Sequence, residues 1–426
     1  MNNTKQIDTS KHPCFNKEVK GRFGRIHLPV APLCNIQCNY CNRKYDCVNE
    51  SRPGVTSAVL SPSQAIAYME EVITKEPRIT TVGIAGPGDP LANPAETLTV
   101  LRLIRKKWPH MLICLSSNGL NLPSYLDDLA EIGTSHVTLT INAVDPEIGR
   151  HFYAWIRDNK VVYRGYQAAE LLLERQFESI RGLKERGIIV KVNTIIVPWM
   201  NDQHSLEVAE RLSHMGVDLH NCMPMYPNPG TLFEHIPEPS PELINLIREE
   251  CENHIPQMRH CARCRSDAVG LLGHDRSEEF SGCLVACSKK SRELSSEERP
   301  YVAVATQEGA LINEHLGRAV QLSIYKQEND EFELHEIRKT PEPGSGGKRW
   351  FELAETLKDC QALLVSAVGE TPRTILEEGG LRVIEMYSVI EDGLDAAFNG
   401  KEVRGFQKRR MSCSAGACTG SGGGCG

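Results

Sequence analysis

The sequence predicts an α/β protein: an open, partial (β/α)6 barrel of the TIM type, followed by a small separate α/β domain. Three observations carry this reading. Short β-rich runs alternate with amphipathic helical stretches from Gly24 to about Cys251. About six such units are visible, fewer than the eight of a closed barrel. A second α/β pattern then begins after a charged, Ser-rich stretch at Ser288–Pro300.

The barrel strands are expected at Arg25–Ala31, Thr80–Ala85, Leu112–Ser116, His136–Ile141, Val190–Val197 and Val217–Met223. Helices are expected between them, at Pro62–Lys75, Ala95–Lys106, Phe177–Arg186 and Ser205–Met215. Pro62 follows Ser61, a serine placed to cap the first of these helices. The second domain is expected to hold strands at Tyr301–Ala305, Val320–Lys326, Phe332–Ile337, Ala362–Ser366 and Leu381–Glu385, with helices at Arg349–Leu357 and Thr371–Glu378. The organisation reads as an N-terminal ligand-bearing segment 1–23, a barrel 24–255, a ligand-bearing extension 256–287, a linker 288–300, a domain 301–404, and a flexible Gly/Ser/Cys tail 405–426.

Composition excludes several functions. Of 426 residues, 40% are hydrophobic and 24% charged, the balance of a globular protein. A net charge of -7 provides no broad basic surface for nucleic acid. No apolar run approaches the roughly 20 residues that cross a bilayer. The first residues lack the apolar core of a secretory signal, so the cytoplasm is expected. There the 16 cysteines are expected to bind metal or do redox work rather than pair.

The sharpest cluster is Cys34-Asn-Ile-Gln-Cys38-Asn-Tyr-Cys41, just beyond the first strand. Three thiolates from one loop can hold three irons of a cubane 4Fe–4S cluster and leave the fourth iron open. A structural zinc site, by contrast, takes four protein ligands. The segment Gly86-Pro-Gly88-Asp89-Pro90 follows the second strand, and its glycines permit close backbone approach to a ligand. Ser116 and Asn118 end the third strand and Asn142 the fourth; each suits a bond to a ligand, and each equally suits a turn. Six more potential ligands lie around this core: His12, Cys14, Cys47, Cys114, and the C-x2-C pair Cys261 and Cys264. Cys114 is expected near the barrel mouth, and it also reads as a small buried hydrophobe. Cys222, Cys251 and Cys360 have no partners in sequence and read as structural. Cys283 and Cys287 form a weak C-x3-C, and Cys413, Cys418 and Cys425 among glycines match no standard site.

Cys34-x3-Cys38-x2-Cys41 after a first strand is similar to the signature of the radical S-adenosylmethionine (SAM) superfamily, with Tyr40 at its usual aromatic position. The resemblance implies a SAM-binding 4Fe–4S cluster whose electron cleaves SAM, and a SAM pocket formed by Tyr40, Gly86, Gly88, Asp89, Ser116, Asn118 and Asn142. The stretch from Cys34 to Gly54, the His12-Pro-Cys14 motif, and Cys261-Ala-Arg-Cys264-Arg-Ser-Asp together resemble the NifB family of nitrogenase cofactor maturases. Asn313-Glu-His315-Leu-Gly317 resembles a motif of the NifX-type domain, a ribonuclease-H-like fold, which implies that His315 ligates a cluster cofactor; a plain loop histidine is the other reading.

This second resemblance implies fusion of two 4Fe–4S clusters, with carbide and sulfide insertion, into the 8Fe–9S–carbide core, NifB-co. It implies two auxiliary or substrate clusters, one on His12, Cys14 and Cys264 and one on Cys47, Cys114 and Cys261. It gives Glu50 and Arg52 a role in relaying protons or orienting the site, where an ordinary ion pair is the other reading. Implied partners are NifU/NifS-type cluster suppliers, a reducing ferredoxin, a NifX-type carrier and a NifEN-type scaffold. Two other functions fit the cysteines: a radical SAM enzyme with auxiliary clusters acting on a peptide or small molecule, and a non-catalytic cluster carrier. The first predicts neither the His12-Pro-Cys14 motif nor the second domain, and the second predicts no SAM cleavage.

Overall fold

Apolar runs flanked by turns form the strands, and the computed structural model describes residues 8–47, 55–289, 299–328, 331–342 and 347–399. The chain divides into two compact units, Met1–Lys290 and Ser291–Gly426.

The first unit opens with β1 (Gly24–His27) and β2 (Ile36–Cys38), then α1 (Pro62–Lys75), β3 (Ile79–Ile84), α2 (Pro94–Lys107), β4 (Leu112–Ser117), α3 (Leu126–Ile132) and β5 (His136–Thr140). The turn α4 (Pro146–Gly149) leads to β6 (Tyr153–Asp158), β7 (Val161–Tyr163), α5 (Gly165–Glu185), β8 (Ile189–Ile196), α6 (Ser205–His214) and β9 (Leu219–Pro224). It closes with α7 (Pro241–Glu252), β10 (Val269–Leu271), β11 (His274–Asp275) and α8 (Ser277–Ser288). Strands β1, β3, β4, β5, β8 and β9 pair in parallel in that order, as the sixfold βα alternation requires. The sheet stays open, and the antiparallel hairpin β10–β11 extends it beyond β1.

Local chemistry explains the elements. Ser61 and Gln64 form a reciprocal capping box at the start of α1, with Pro62 in its first turn. Ala65, Tyr68, Met69 and Val72 recur at helical spacing and form its buried face. The apolar pattern expected to start a helix at Phe177 continues back through Leu172, Ala169 and Ala168, so α5 begins at Gly165. Strand β1 ends at His27, short of Ala31, because Pro29 has no N–H to donate to a ladder. The hairpin β10–β11 and the small antiparallel sheet β2–β6–β7 were not expected; β2, β7, β10 and β11 are too short to show a period, and β6 does not alternate buried and exposed positions.

The second unit runs β12 (Tyr301–Val304), β13 (Gln321–Glu328), β14 (Glu331–Lys339), α9 (Gly347–Thr356), β15 (Cys360–Val365), α10 (Glu370–Glu378), β16 (Arg382–Glu385) and α11 (Ile390–Asn399). Its sheet has the order β14-β13-β12-β15-β16, antiparallel through β12 and parallel beyond it. That is the mixed ribonuclease-H-like arrangement. Helix α11, absent from the expectation, packs Ile390 and Leu394 into the core with Val302, Val304 and Leu364. Cys360 is buried at the start of β15.

Glu76 ties the first unit's helices to the hairpin. Its buried carboxylate accepts from Arg78 (Nε and Nη2, both 2.6 Å) and from Arg276 Nη1 (2.8 Å). Hydrogen bonds from Arg78, then Arg276, hold its carboxyl down at about 2 against an ordinary 4.5. The carboxylate therefore stabilises the fold above pH 4.5, and that contribution is lost as the pH falls from there toward about 2. Glu76→Gln should cost about 1–3 kcal/mol in urea unfolding at pH 7, with the difference shrinking below pH 4. An unchanged midpoint at pH 7 would show that the two arginines do not depend on this carboxylate.

Candidate active site

The three-cysteine loop is seated on the Gly86–Asp89 segment by backbone hydrogen bonds. Gly88 N donates to Ala31 O (2.6 Å), Asp89 N to Leu33 O (2.8 Å), and Ala31 N to Gly86 O (3.3 Å). A Cβ on Gly88 would stand 2.0 Å from Leu33 O, so only glycine permits this approach. Gln37 Nε2 then closes the cysteine turn by donating to the carbonyls of Cys38 and Cys41.

Cys34, Cys38 and Cys41 line one cavity of about 470 Å³ together with Cys47, Gly88, Asp89, Ser116 and Asn118. It lies at the C-terminal ends of the parallel strands, where folds of this kind build their sites. Burial pushes the Cys34 thiol up to about 12. Asp89 is buried, and its carboxylate accepts from Asn118 N (2.7 Å), Leu91 N (2.9 Å) and Ser117 Oγ (3.1 Å). Burial raises its pKa, and these bonds oppose the rise. Asn118 Nδ2 donates to Asn35 Oδ1 (2.7 Å) and lies 4.0 Å from Cys34 Sγ. Asp89 and Asn118 thus brace the cysteine loop. Tyr40 and Asn142 stand behind the cavity wall: Asn142 Nδ2 donates to the Tyr40 hydroxyl (2.8 Å), and its Oδ1 accepts from Ile195 N (3.0 Å). The donor set suits a cubane cluster, because three cysteines line one cavity and the nearby carboxylate already has its partners.

A second cavity, of about 570 Å³, holds five of the remaining ligand candidates: His12, Cys14, Cys114, Cys261 and Cys264. Cys47 is on the mouth cavity instead. The trio Cys47, Cys114 and Cys261 therefore stands on both sides of the wall between the cavities. Cys114, expected near the mouth, lies two residues inward of Ser116 on β4 and faces the deeper space. His12 Nδ1 accepts from Cys14 N (3.2 Å), while its buried Nε2 has no hydrogen-bond partner among the described residues. Burial, then the charges of His136 and Lys191, keeps this imidazole neutral, the form that binds metal. The set of four thiols and a neutral imidazole suits iron–sulfur substrates.

Sequence reasoning missed two cations in this cavity. Arg25 is buried and donates to Cys264 Sγ from Nε (3.3 Å) and Nη2 (3.1 Å), and to Gly270 O and Leu271 O from Nη1. Lys191 is buried on β8 and lines the same space. The available signal was a charge inside an apolar strand run, since such residues are almost never buried without a purpose. His27 on this cavity, and His136 packed against the ring of His12, are held neutral, with burial first pushing them down to about 4 and about 3.

Other candidates lie elsewhere. His220, Cys222 and Cys251 come together in the core, but both His220 nitrogens are engaged, by Thr194 Oγ1 (2.9 Å) and Gln257 Nε2 (3.1 Å). In the second unit, His315 Nδ1 accepts from Gly317 N (2.9 Å), which fixes the ring in its turn. Cys283 and Cys287 lie one turn apart on α8. Glu50, Arg52, Cys413, Cys418 and Cys425 lie outside the described residues. No helix among the described residues is long and apolar enough to cross a membrane.

A three-cysteine loop at the mouth of a six-stranded partial barrel defines a radical SAM protein. The Radical SAM superfamily matches residues 28–212, and the family described as dinitrogenase iron-molybdenum cofactor matches residues 298–400. Membership in the first carries with it a 4Fe–4S cluster and SAM. The chain is 48% identical over 423 residues to the FeMo cofactor biosynthesis protein NifB of Chlorobaculum tepidum, covering 98% of this chain and 99% of that one. It is 40% identical to the NifB of Klebsiella pneumoniae (87% of this chain, 86% of that one) and 39% identical to that of Herbaspirillum seropedicae (91% and 82%). The chain belongs to the NifB family.

Gly88→Ala should displace the Cys34 loop and reduce 5′-deoxyadenosine formation by about a hundredfold. Retention of the parent rate would show that the Gly88–Leu33 contact does not position the cysteines.

Proposed function

We propose that this chain fuses two 4Fe–4S clusters into the 8Fe–9S–carbide core, NifB-co, the precursor of the nitrogenase FeMo cofactor. The observation that carries the reading is the pairing of two cavities. One bears the three cysteines of a SAM-cleaving site. The other gathers His12, Cys14, Cys114, Cys261 and Cys264 directly beneath it.

When bound on Cys34, Cys38 and Cys41, the resident cluster supplies the electron that cleaves SAM to methionine and a 5′-deoxyadenosyl radical. The chain's own residues do the rest. Gly88 and Asp89 set the cysteine loop, and Ser116 and Asn118 present polar groups to SAM from the wall they share with it. His12, Cys14 and Cys264 hold one substrate cluster, and Cys47, Cys114 and Cys261 hold the other. Phe15, Met258 and Leu272 give the deeper cavity an apolar lining that keeps water from a reactive carbon. Arg25 and Lys191 offset the negative charge that thiolate-bound clusters bring. Glu50 and Arg52 assist proton movement near Cys47.

The reaction uses SAM twice. One SAM gives its methyl carbon to a sulfide of a substrate cluster and leaves as S-adenosylhomocysteine. A second yields 5′-deoxyadenosine as hydrogen is taken from that methyl group. NifU/NifS-type proteins supply clusters and a ferredoxin supplies electrons. The NifX-like unit at 301–404 holds the product for a NifX-type carrier or NifEN-type scaffold, with His315 at the contact.

Anaerobic reconstitution with iron and sulfide tests this. The chain should take up about twelve irons, as three cubanes require, and with dithionite and SAM release both S-adenosylhomocysteine and 5′-deoxyadenosine. About four irons with 5′-deoxyadenosine alone would contradict it and leave a radical SAM enzyme of another substrate class.

A further inference from the structure

The mouth cavity and the deeper cavity have two wall residues in common, Ala85 and Ser116. Three adjacent strands explain why. On β4, Cys114 faces the deeper space, Ser116 both, and Asn118, just past the strand's end, the mouth. Alternate residues on a strand share a face, so these three form a ladder about 13 Å long. Along β3 and its exit, Gly83 faces the deeper space, Ala85 both, and Gly88 the mouth. On β5, Thr138 faces the deeper space and Thr140 the mouth. Pairing of Gly83 with Cys114 and of Ser116 with Thr138 sets these ladders side by side.

Where the two spaces meet, the shared side chains of Ala85 and Ser116 are both small. Cys47 stands on the mouth side of this boundary and Cys114 and Cys261 on the other. Any group held between them reaches across it.

We infer that Ala85 and Ser116 frame a passage along the barrel axis, and that the small side chain of Ala85 determines whether methyl transfer from SAM at the mouth can reach the substrate cluster below. This rests on the proposed function. In that step a lone pair of a cluster sulfide forms the new S–C bond. The methyl–sulfonium bond of SAM breaks, and its electron pair leaves with S-adenosylhomocysteine. Both sulfurs must be in line with the carbon and nearly in contact, so a branched side chain in the passage blocks the transfer. Electron transfer from the mouth cluster to SAM occurs on the other side of the passage and does not use it. Ala85 is a positioning residue for methyl transfer and for the later hydrogen abstraction, which must reach the same cluster-bound methyl group, but not for reductive cleavage of SAM.

The test is a size series in the full, iron-loaded chain: Ala85→Gly, Ala85→Val and Ala85→Leu. SAM affinity by equilibrium dialysis, iron content, 5′-deoxyadenosine under dithionite and S-adenosylhomocysteine are read together. Affinity, iron and uncoupled 5′-deoxyadenosine should stay within about twofold of the parent, while S-adenosylhomocysteine falls about tenfold for Val and about a hundredfold for Leu. Ala85→Gly should match the parent. If the Leu chain does not fold, Val carries the comparison. Unchanged S-adenosylhomocysteine across the series would overturn the passage. So would a parallel loss of SAM affinity, which would place Ala85 in the SAM seat, or a loss of about four irons, which would place it in a cluster seat. A parent chain that makes no S-adenosylhomocysteine contradicts the proposed function itself, and the passage with it.

Discussion

The site depends on one geometric constraint, the two-residue period of side chains along parallel strands. A strand that sends Asn118 to the mouth must send Ser116 and Cys114 to the same face at successively deeper levels. Because β3, β4 and β5 pair in register, the same descent repeats on three neighbours. Two chemical compartments therefore stack along a single barrel axis rather than lying side by side across the mouth. A one-residue slip of β4 would turn Cys114 into the helical layer and dismantle the deeper site.

The second constraint is charge. Burying an arginine or a lysine is costly unless the ion is paired and hydrogen-bonded. Arg25 meets that cost through two carbonyls, the Cys264 sulfur and Asp275 at 3.9 Å. Burial pushes the Cys264 thiol up, and the Arg25 guanidinium opposes the rise. Burial keeps the neighbouring histidines neutral, and the charge of Lys191, with Arg25 at His27, adds to it. A cavity that is cationic around neutral imidazoles and thiols is matched to cargo that brings its own negative charge, as sulfide-rich clusters do.

Much of the fold was legible because long strands and helices carry a period. All six parallel strands and helices α1, α2 and α6 follow from it. The hairpin β10–β11, the small sheet β2–β6–β7 and α11 did not: β2, β7, β10 and β11 have three residues or fewer, and β6 does not alternate buried and exposed positions. At the site, the three-cysteine loop and the C-x2-C pair were legible by spacing. The depth of Cys114 was not, because sequence gives the face of a strand but not the height of a residue above a cavity floor. The Gly88–Leu33 contact was also invisible, since it joins residues brought together only by the β1–β3 pairing. Arg25 and Lys191 were visible as charges in apolar strands, but their purpose needed the cavity around them.

Iron-edge anomalous diffraction from crystals of the reconstituted chain tests the two-compartment arrangement most directly. The account predicts iron beside Cys34, Cys38 and Cys41, and separate iron within the space bounded by His12, Cys14, Cys114, Cys261 and Cys264. Iron at the mouth alone, with the deeper cavity empty in a fully loaded protein, would contradict it.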